Sequence, residues 1–203
     1  MSPIHIPELA SLQDPLKQLE LWIAEAKSAR MSNPDALALA TASASGTPTV
    51  RIVLYKGMRE GGLSFFTNYE SAKARDLESN PRASGVFYWR EIERQVRVEG
   101  QAKRLSREEN ERYFAGRPRG SQVGAWASHQ TRPLGDRSQL QARVAELERE
   151  YAGREVPCPP HWGGYALVPS AYEFWVGRPD RLHDRFRLEL GAEGQWKATR
   201  LNP

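Results

Sequence analysis

Residues 36–57 read ALALATASASGTPTVRIVLYKG, and this stretch determines the predicted fold. Two apolar runs, 36–42 and 48–57, flank the polar turn SASGT, a pattern that predicts a β-hairpin. Working outward, three further apolar runs predict strands at 63–68, 83–89 and 94–105. Several short strands joined by tight turns favour an antiparallel sheet, which we expect to close into a barrel.

Helical patterns lie on both sides of this strand-rich region. Asp14 and Pro15 resemble an N-cap and a first helical residue, and apolar residues at helical spacing continue the helix to about Asn33-Pro34. Further helices are predicted at 71–79, 106–115 and 138–151, and further strands at 165–169, 172–177, 181–190 and 195–201. We therefore expect an α+β fold, a mostly antiparallel split barrel with surrounding helices. Residues 14–203 are predicted to form a single domain after a mobile N-terminal segment, 1–13.

Composition limits the class of protein. The chain has 203 residues, 39% of them hydrophobic, which suffices for a core of its own. The single cysteine, Cys158, excludes an intrachain disulfide and suits the reducing cytoplasm, where we expect the protein to reside. We see no signal-peptide pattern and no stretch near the ~18 apolar residues of a membrane span. The net charge of +4 permits anionic partners without requiring nucleic acid.

Common catalytic motifs are missing from the sequence. It contains no GxxxxGK[ST] loop, no GxGxxG after a strand and no GxSxG elbow. The four histidines, His5, His129, His161 and His183, have no metal-binding spacing. We therefore predict no metal site, and common hydrolase chemistry is disfavoured.

Residues 178–187, RPDRLHDRFR, gather four arginines and a histidine into ten positions. If 181–188 is a strand, alternate side chains share a face, and its basic face holds Arg181, His183, Arg185 and Arg187. The planar fork of arginine suits phosphate and carboxylate oxygens. A solvated strand face explains the same pattern equally well, so residue type alone leaves both interpretations open.

Other cations occupy positions that suit anion binding. Arg51 and Lys56 have opposite parity along one predicted strand, which would suit two separate sites. Lys73 lies in the first turn of the helix predicted to begin at Ser71, where the helix dipole disfavours a cation. An anion held there by free N–H groups and the ammonium would explain that lysine. An ordinary surface lysine is the alternative.

The segment 113–126, YFAGRPRGSQVGAW, combines Tyr113, Arg117, Arg119 and Ser121 around a turn that its glycines and proline predict. Such a group could form a phosphate pocket, although loops of this kind also contact nucleic-acid backbones. Trp175 could belong to a core or form the wall of a site for a flat ring. Gln95 and Gln130 could supply the polar contacts that a planar heterocycle needs.

The series RIVLYK, RPRGSQVGAW, WGGY and EFWVGRPDRLHDRF resembles the pyridoxine (pyridoxamine) 5′-phosphate oxidase family, with matching segments from about residue 14 to the C-terminus. The resemblance implies an FMN-binding split barrel and a homodimer with FMN at the subunit interface. It also implies oxidation of pyridoxine 5′-phosphate or pyridoxamine 5′-phosphate to pyridoxal 5′-phosphate, with O2 reduced to H2O2. Neither a nucleic acid nor a membrane is an implied partner.

The resemblance assigns roles by position. For FMN it implies Arg51, Ile52, Val53, Leu54, Tyr55, Lys56, Phe66, Thr67, Lys73, Gln95, Gln130, Thr131, Trp175 and Arg185. For the substrate phosphate it implies Lys56, Tyr113, Arg117 and Ser121. Arg181 and His183 would contact the substrate ring beside the flavin and act as the catalytic residues. Arg178 and Arg187 receive no role, and we expect both to be ordinary surface residues.

The sequence also departs from the family pattern. The S-R-K phosphate motif reads Ser71-Ala72-Lys73, so one expected arginine is missing, and the basic, tyrosine-containing N-terminal arm is not recognisable. Three other functions stay open: a related flavin oxidase acting on another ring such as a phenazine precursor, a flavin-binding protein without catalysis, and a basic nucleic-acid-binding module. The last would need a contiguous basic patch with stacking aromatics, which the dispersed cations disfavour.

Overall fold

The structure, a computed structural model, describes residues 13–203. Within this range its helices are α1 (Pro15–Ser28), α2 (Ala72–Ser79), α3 (Arg107–Ala115), α4 (Arg119–Ala127) and α5 (Arg137–Glu150). Its strands are β1 (Ala36–Ala42), β2 (Pro48–Leu54), β3 (Met58–Arg59), β4 (Gly62–Asn68), β5 (Arg82–Trp89), β6 (Arg94–Arg104), β7 (Trp162–Val176), β8 (Asp184–Leu190) and β9 (Trp196–Leu201). The predicted mobile segment, 1–13, lies outside the described residues except for Gln13.

The strands form one sheet in the order β2-β1-β5-β6-β7-β4-β3, which β8 and β9 extend from β7. Every strand pairing in the described residues is antiparallel, as predicted. The expectation of a closed barrel is wrong, because strand pairing does not run through a complete ring. β2 ends at Leu54, and beyond it the two ends of the sheet are joined by two backbone hydrogen bonds, from Lys56 N to Ser64 O (2.8 Å) and from Ser64 N to Gly57 O (3.0 Å).

β7 is one long strand, where the sequence predicted two separate strands at 165–169 and 172–177. Its first half pairs with β4 and its second half with β8, while β6 follows it along most of its length. A register shift between Glu99 and Gly100 lets the two long strands bend together. Glycine is required at this bend, because a Cβ at Gly100 would collide with the Val168 carbonyl oxygen. The proline at position 169 marks the bend rather than a strand end.

α1 begins as predicted and ends earlier than predicted. The Asp14 side chain accepts a hydrogen bond from Lys17 N at 3.0 Å, and Pro15 occupies the first helical position. The helix stops at Ser28 instead of near Asn33-Pro34. Arg30 and Asn33 have φ values of +54° and +51°, so two left-handed residues turn the chain into β1.

α4 was not predicted. Gly116, Pro118 and Gly120 predicted a turn, and the structure confines that turn to the residues before Arg119. Pro118 is the N-cap residue, and the helix then continues through two glycines. Burial of Val123 and Ala127 against α5 supplies stability that local propensity lacks.

The buried side chains form two clusters. The first fills the inside of the curved sheet beneath α1 and includes Trp22, Leu39, Val53, Phe65, Phe87 and Phe174. The second lies under α3, α4 and α5 and includes Phe114, Val123, Leu147 and Trp162. Among residues 13–203, no helix has the length and apolar character needed to span a membrane.

Candidate functional site

A cavity of about 640 Å³ opens between β2, β4, α2 and the α3–α4 corner, where the two buried clusters meet. Its size is typical of small-molecule sites, which span about 300–1,000 Å³. The cavity brings together predicted residues from distant segments: Ile52, Val53, Leu54, Lys56, Phe66, Thr67, Lys73, Tyr113, Arg117, Ser121 and Gln130. The predicted flavin strand and the predicted substrate-phosphate segment therefore share one cavity.

Lys73 is a buried cation at the start of α2, with 6% of its surface exposed. Its ammonium donates to Thr67 Oγ1 and Gln130 Oε1, both at 3.0 Å, and to Ser71 Oγ at 3.2 Å. Within residues 13–203, no carboxylate forms a salt bridge with it. Burial, and secondarily the nearby Arg51 guanidinium, lower the pKa of Lys73 to about 8. An ammonium surrounded only by neutral oxygens is suited to receive an anion.

The loop after α4 packs against the start of α2. Thr131 Oγ1 accepts a hydrogen bond from Ala72 N at 3.0 Å, whereas the predicted cap, Ser71, makes no side-chain capping bond. Thr131 has a φ of +69°, an uncommon conformation for a β-branched residue, and it does not line the cavity. Gln130, its neighbour, does line it. Residues 130 and 131 thus support the Lys73 region in different ways.

Arg117 is the second cavity cation without a carboxylate partner among the described residues. Its guanidinium lies 4.5 Å from the Trp162 ring centroid, and its buried Nη1 has no hydrogen-bond partner there. Burial lowers its pKa. Arg119, from the same predicted segment, instead pairs with Glu148 at 3.1 Å and points away from the cavity. A buried donor without a partner is costly, so Arg117 marks a position for a ligand oxygen.

An aromatic wall borders the cavity beside Arg117. The Phe66 and Tyr113 rings stack at 3.7 Å with an interplanar angle of 7°, and Phe66 lies 5.3 Å from Trp162 at 12°. Trp162 begins the family-like motif WGGY, but no role was predicted for its side chain. The motif's second glycine, Gly164, leaves room for this wall, because a Cβ there would press on Leu105 and Phe66.

Three predicted residues of the RIVLYK segment differ in their position relative to the cavity. Lys56 lines the cavity beyond the end of β2, and its ammonium pairs with Asp35 at 2.8 Å. The predicted parity therefore does not extend to Lys56. Arg51 stays within β2 and contacts α2 next to the cavity without lining it. The Tyr55 side chain is 7% exposed and belongs to the core, so it does not line this cavity either.

Two further arginines in the cavity were missed by the sequence analysis. Arg59 pairs with Glu109 at 3.3 Å, and Arg112 pairs with Glu108 at 2.6 Å. Glu108 and Glu109 open α3, where helix spacing from Arg112 predicts such pairs. Because these cations already have carboxylate partners, they are less available to an anion than Lys73 and Arg117.

The remaining predicted residues, which we call the strand group, lie on β6, β7, the loop before β8 and β8 itself: Gln95, Trp175, Arg181, His183 and Arg185. Gln95 lies opposite Trp175, which lies opposite Arg185 in the next strand. The His183 ring lies 4.6 Å from the Trp175 ring. None of the five lines the cavity formed by the described residues. The chain therefore divides the predicted site into a cavity part and a strand part.

The predicted strand 181–190 is wrong at its beginning. Pro179–Arg181 is a 3₁₀ turn, in which Asp180 and Arg181 have φ values of +57° and +61°, and β8 starts only at Asp184. Arg181 and His183 therefore do not share a strand face with Arg185. The proline and two left-handed residues prevent an extended conformation.

Arg178 and Arg187, which we expected to be ordinary surface residues, are partly buried and form ion pairs. Arg178 pairs with Asp184 at 2.7 Å. Arg185 pairs with Glu173 at 2.8 Å, and Arg187 pairs with Glu99 at 2.9 Å. These carboxylates neutralise much of the cluster, which argues against a nucleic-acid patch.

The sequence of the chain matches those of known proteins. Residues 23–150 match the sequence profile described as pyridoxamine 5′-phosphate oxidase. The chain belongs to the pyridoxamine 5′-phosphate oxidase family. Residues 162–203, which contain most of the strand group, match the profile described as the pyridoxine 5′-phosphate oxidase C-terminal dimerisation region. The family resemblance inferred from the sequence motifs is thereby confirmed.

Relatives and solved structures agree with this membership. The pyridoxine/pyridoxamine 5′-phosphate oxidase of Rubrobacter xylanophilus is 52% identical over 190 residues, covering 94% of this chain and 87% of that protein. The enzyme of the same name from Cupriavidus pinatubonensis is 50% identical, covering 94% and 89%. PhzG from Burkholderia lata, solved with tetrahydrophenazine-1-carboxylic acid, superposes with a TM-score of 0.92 at 38% identity, covering 98% of each chain.

A more distant structure confirms the fold class. A pyridoxamine 5′-phosphate oxidase-related, FMN-binding protein from Nostoc punctiforme superposes with a TM-score of 0.77 at 16% identity. The alignment covers 95% of this chain and 99% of that protein. At this identity the likeness concerns the fold alone.

Proposed function

We propose that the chain is an FMN-dependent oxidase that converts pyridoxine 5′-phosphate or pyridoxamine 5′-phosphate to pyridoxal 5′-phosphate. The observation that carries this proposal is the pair of cations without carboxylate partners, Lys73 and Arg117, in one cavity. Cofactor and substrate each carry a phosphate, and the two cations come from different elements. We also propose a cytoplasmic location, because the lone cysteine, Cys158, is free and buried.

The cavity residues fit FMN. Lys73, next to the N-terminus of α2, would hold the phosphate, and Phe66, Thr67 and residues 52–54 would border the flavin. Charge-assisted hydrogen bonds contribute roughly 1.5–3 kcal/mol each. Three or four of them would supply micromolar affinity, about −8 kcal/mol. When bound, FMN supplies the redox chemistry by accepting a hydride from the substrate C4′ and passing electrons to O2, which leaves as hydrogen peroxide.

The substrate phosphate would be held at the α3–α4 corner. Arg117 offers its unpartnered Nη1, Lys56 offers an ammonium, and Tyr113 and Ser121 offer hydroxyls around the same cavity. Asp35 balances part of the Lys56 charge. Arg117 therefore supplies the largest share of the attraction for the phosphate.

The strand group would complete the flavin site from the partner protomer of a homodimer. Support comes from its absence among the residues lining the cavity of its own chain and from its place in the matched dimerisation region. Part of the neighbouring sheet face is apolar and open: Val50, Ile52 and Tyr88 are 70%, 64% and 58% exposed. Exposed apolar residues in such a patch favour burial against a second copy.

Arg181 and His183 would contact the substrate ring. Arg178 N donates to His183 Nδ1 at 3.1 Å, which places the proton of the neutral ring on Nε2. His183 therefore presents an N–H donor, and its ring orientation is fixed by Trp175. The left-handed turn at Asp180 and Arg181 projects the exposed Arg181 guanidinium from the same loop. Together they would orient the substrate and stabilise charge that develops during hydride transfer.

The test is reconstitution followed by turnover. The purified protein is mixed with FMN, and pyridoxine 5′-phosphate or pyridoxamine 5′-phosphate is added in air. Pyridoxal 5′-phosphate and hydrogen peroxide should form in equal amounts. A protein that cannot be loaded with FMN would contradict the cofactor assignment.

One structural neighbour favours a second candidate, an FMN-dependent oxidase of a phenazine precursor, because PhzG was solved with tetrahydrophenazine-1-carboxylic acid. That ligand carries a carboxylate and no phosphate, so it would make fewer hydrogen bonds with the donors around Arg117. Turnover of a tetrahydrophenazine carboxylate without turnover of the phosphorylated vitamers would select this candidate.

A further inference from the structure

Arg51 is held by a hydrogen-bonded relay that links β1, β2 and α2. Its Nη1 donates to Thr41 Oγ1 at 2.7 Å, and its Nη2 donates to Thr49 Oγ1 at 2.5 Å. Both hydroxyls then donate to Asp76 Oδ2, at 2.7 Å and 3.0 Å. Thr41 and Thr49 are directly opposite each other in the β1–β2 pairing, which explains why two hydroxyls meet one carboxylate.

The relay, rather than direct ion pairing, orients Arg51. The distance from Arg51 Nη2 to Asp76 Oδ2 is 3.8 Å, which is longer than a hydrogen bond. Each threonine hydroxyl has a single proton, and donating it to Asp76 leaves the oxygen facing the guanidinium as an acceptor. Thr41 is 3% exposed, so water does not compete for its hydroxyl. Arg51 is therefore restricted to one orientation.

This orientation brings two cations to one place. The Arg51 guanidinium is close enough to lower the pKa of Lys73, and Lys73 precedes Asp76 by one turn of α2. Two like charges repel each other unless an anion lies between them. Without the relay, the flexible arginine could turn away from the ammonium.

We propose that Asp76, acting through Thr41 and Thr49, positions Arg51 so that Arg51 and Lys73 together receive the FMN phosphate. The proposal rests on the proposed function, which identifies the anion as FMN. Asp76, Thr41 and Thr49 are positioning residues, since Arg51 is the member of the relay that would contact the phosphate, together with Lys73.

The start of α2 explains why Arg51 is needed there. Position 72 is alanine, so this residue supplies no second cation beside Lys73. Two other nearby arginines are engaged elsewhere: Arg75 donates to Glu70 O at 2.6 Å, and Arg132 pairs with the Glu70 carboxylate at 2.8 Å. β2 therefore provides the second positive charge through Arg51.

Replacing both threonines by valine tests the relay without changing charge and with little change in volume. FMN affinity of the cofactor-free protein is measured by quenching of flavin fluorescence. Thr41→Val/Thr49→Val should weaken binding about tenfold. Thr41→Ser/Thr49→Ser, which retains both hydroxyls, should restore it. Thr47→Val, on the same hairpin but outside the relay, should bind like the wild type, and thermal melts check that each variant is folded.

A double-mutant cycle with Arg51→Met separates positioning from a general structural effect. In the Arg51→Met background the two valines should cause no further loss of FMN affinity, because nothing is left to position. The same tenfold loss in that background would overturn the proposal, as would unchanged affinity in the wild-type background. If the double variant does not fold, the cycle is run with Thr49→Val alone, at an exposed position.

The outcomes also separate this inference from the proposed function. Wild-type binding of FMN that the valines leave unchanged would overturn the relay alone. A wild-type protein that binds no FMN would overturn the proposed function and the relay with it. Tighter FMN binding by Asp76→Asn would also contradict the relay, because Asp76 would then act as a competing negative charge.

Discussion

The cavity and β8 both contain cations, but the surroundings of these cations differ. Lys73 meets neutral oxygens, and Arg117 lies on an aromatic ring, with no carboxylate partner in the part of the chain that the structure describes. Arg185 and Arg187 meet Glu173 and Glu99 at 2.8 Å and 2.9 Å. The densest cationic stretch of the sequence is therefore largely neutralised, and the dispersed cations remain available. The proposed anion site is therefore distinguished by cations that lack carboxylate partners, and not by the local density of positive charge.

The largest expected effect separates Lys73 from Arg187. Lys73→Met should weaken FMN binding about a hundredfold, since it removes a charge-assisted contact to the phosphate. Arg187→Met should leave FMN affinity unchanged and reduce stability by about 1 kcal/mol, because it breaks a partly exposed ion pair. Flavin fluorescence titration and urea unfolding measure both quantities. An equal loss of FMN affinity in the two variants would contradict the proposed difference between the cavity and β8.

Lys73→Met should also stabilise the cofactor-free protein, by roughly 1–3 kcal/mol. The folded-state pKa of about 8 lies below the ordinary value of 10.5, so burying the protonated lysine costs stability below pH 8. The advantage of the variant should therefore be greatest below pH 8 and shrink as the pH rises towards 10.5. Urea unfolding at several pH values checks this dependence, and an advantage that grew with pH would contradict it.

The next effect concerns Arg117 and the substrate. Arg117→Met should raise KM for pyridoxamine 5′-phosphate about thirtyfold, because the phosphate loses its best donor, while the flavin content stays unchanged. Steady-state kinetics with FMN in excess and the absorbance of bound flavin measure the two effects. Loss of flavin with unchanged KM would place Arg117 in the wrong half of the cavity.

FMN affinity should fall as the pH rises. A protonated Lys73 is the better partner for the phosphate. Its pKa in the cofactor-free protein is about 8, so above pH 8 Lys73 must take up a proton when FMN binds, and this weakens binding. From pH 7 to pH 9 we expect about a tenfold loss of affinity. Lys73→Met should lose this dependence, and a flat wild-type profile would mean that Lys73 is not at the phosphate.

The smallest expected effect concerns Glu173, which is 3% exposed and accepts from Arg185 and Arg97. Glu173→Gln should reduce stability by about 1 kcal/mol, because both arginines are partly exposed and remain hydrated. Glu189→Gln, at an exposed pair with Arg187, serves as the matched control and should change stability less. A larger loss in the control would mean that burial of Glu173 contributes little.

The sequence predicted the strands, and many of the candidate site residues that share one cavity, better than it predicted their arrangement. Alternating and capped patterns located most elements, and Lys73 was predicted as a candidate anion-binding residue from its unfavourable place in a helix. The unpredicted features depend on tertiary contacts. α4 needs burial of Val123 and Ala127, and β7 stays continuous because different strands pair with its two halves. The 3₁₀ turn at Pro179–Arg181 was not predicted, because the alternating basic residues that follow indicated a strand beginning at residue 181.

The sequence also did not predict which carboxylates pair with Arg185 and Arg187. Glu99 lies far from 178–187 in the chain and Glu173 lies in the strand just before it, and the β6–β7–β8 pairing places the two carboxylates beside Arg187 and Arg185. The same holds for the relay on Arg51, since Thr41, Thr49 and Asp76 come from three elements. Local patterns identify a cation, whereas its partner depends on register.

The central claim is that the cavity of one protomer and the strand group of its partner form one flavin site. Lys73→Met disables the cavity half, and Trp175→Ala/Arg185→Met disables the strand half. The two chains are co-expressed with different tags, and the doubly tagged dimer is isolated and titrated with FMN. We predict that neither parent homodimer retains FMN and that the mixed dimer retains half the wild-type amount, because one of its sites combines two intact halves. A mixed dimer without FMN would contradict the claim and place both halves within the same chain.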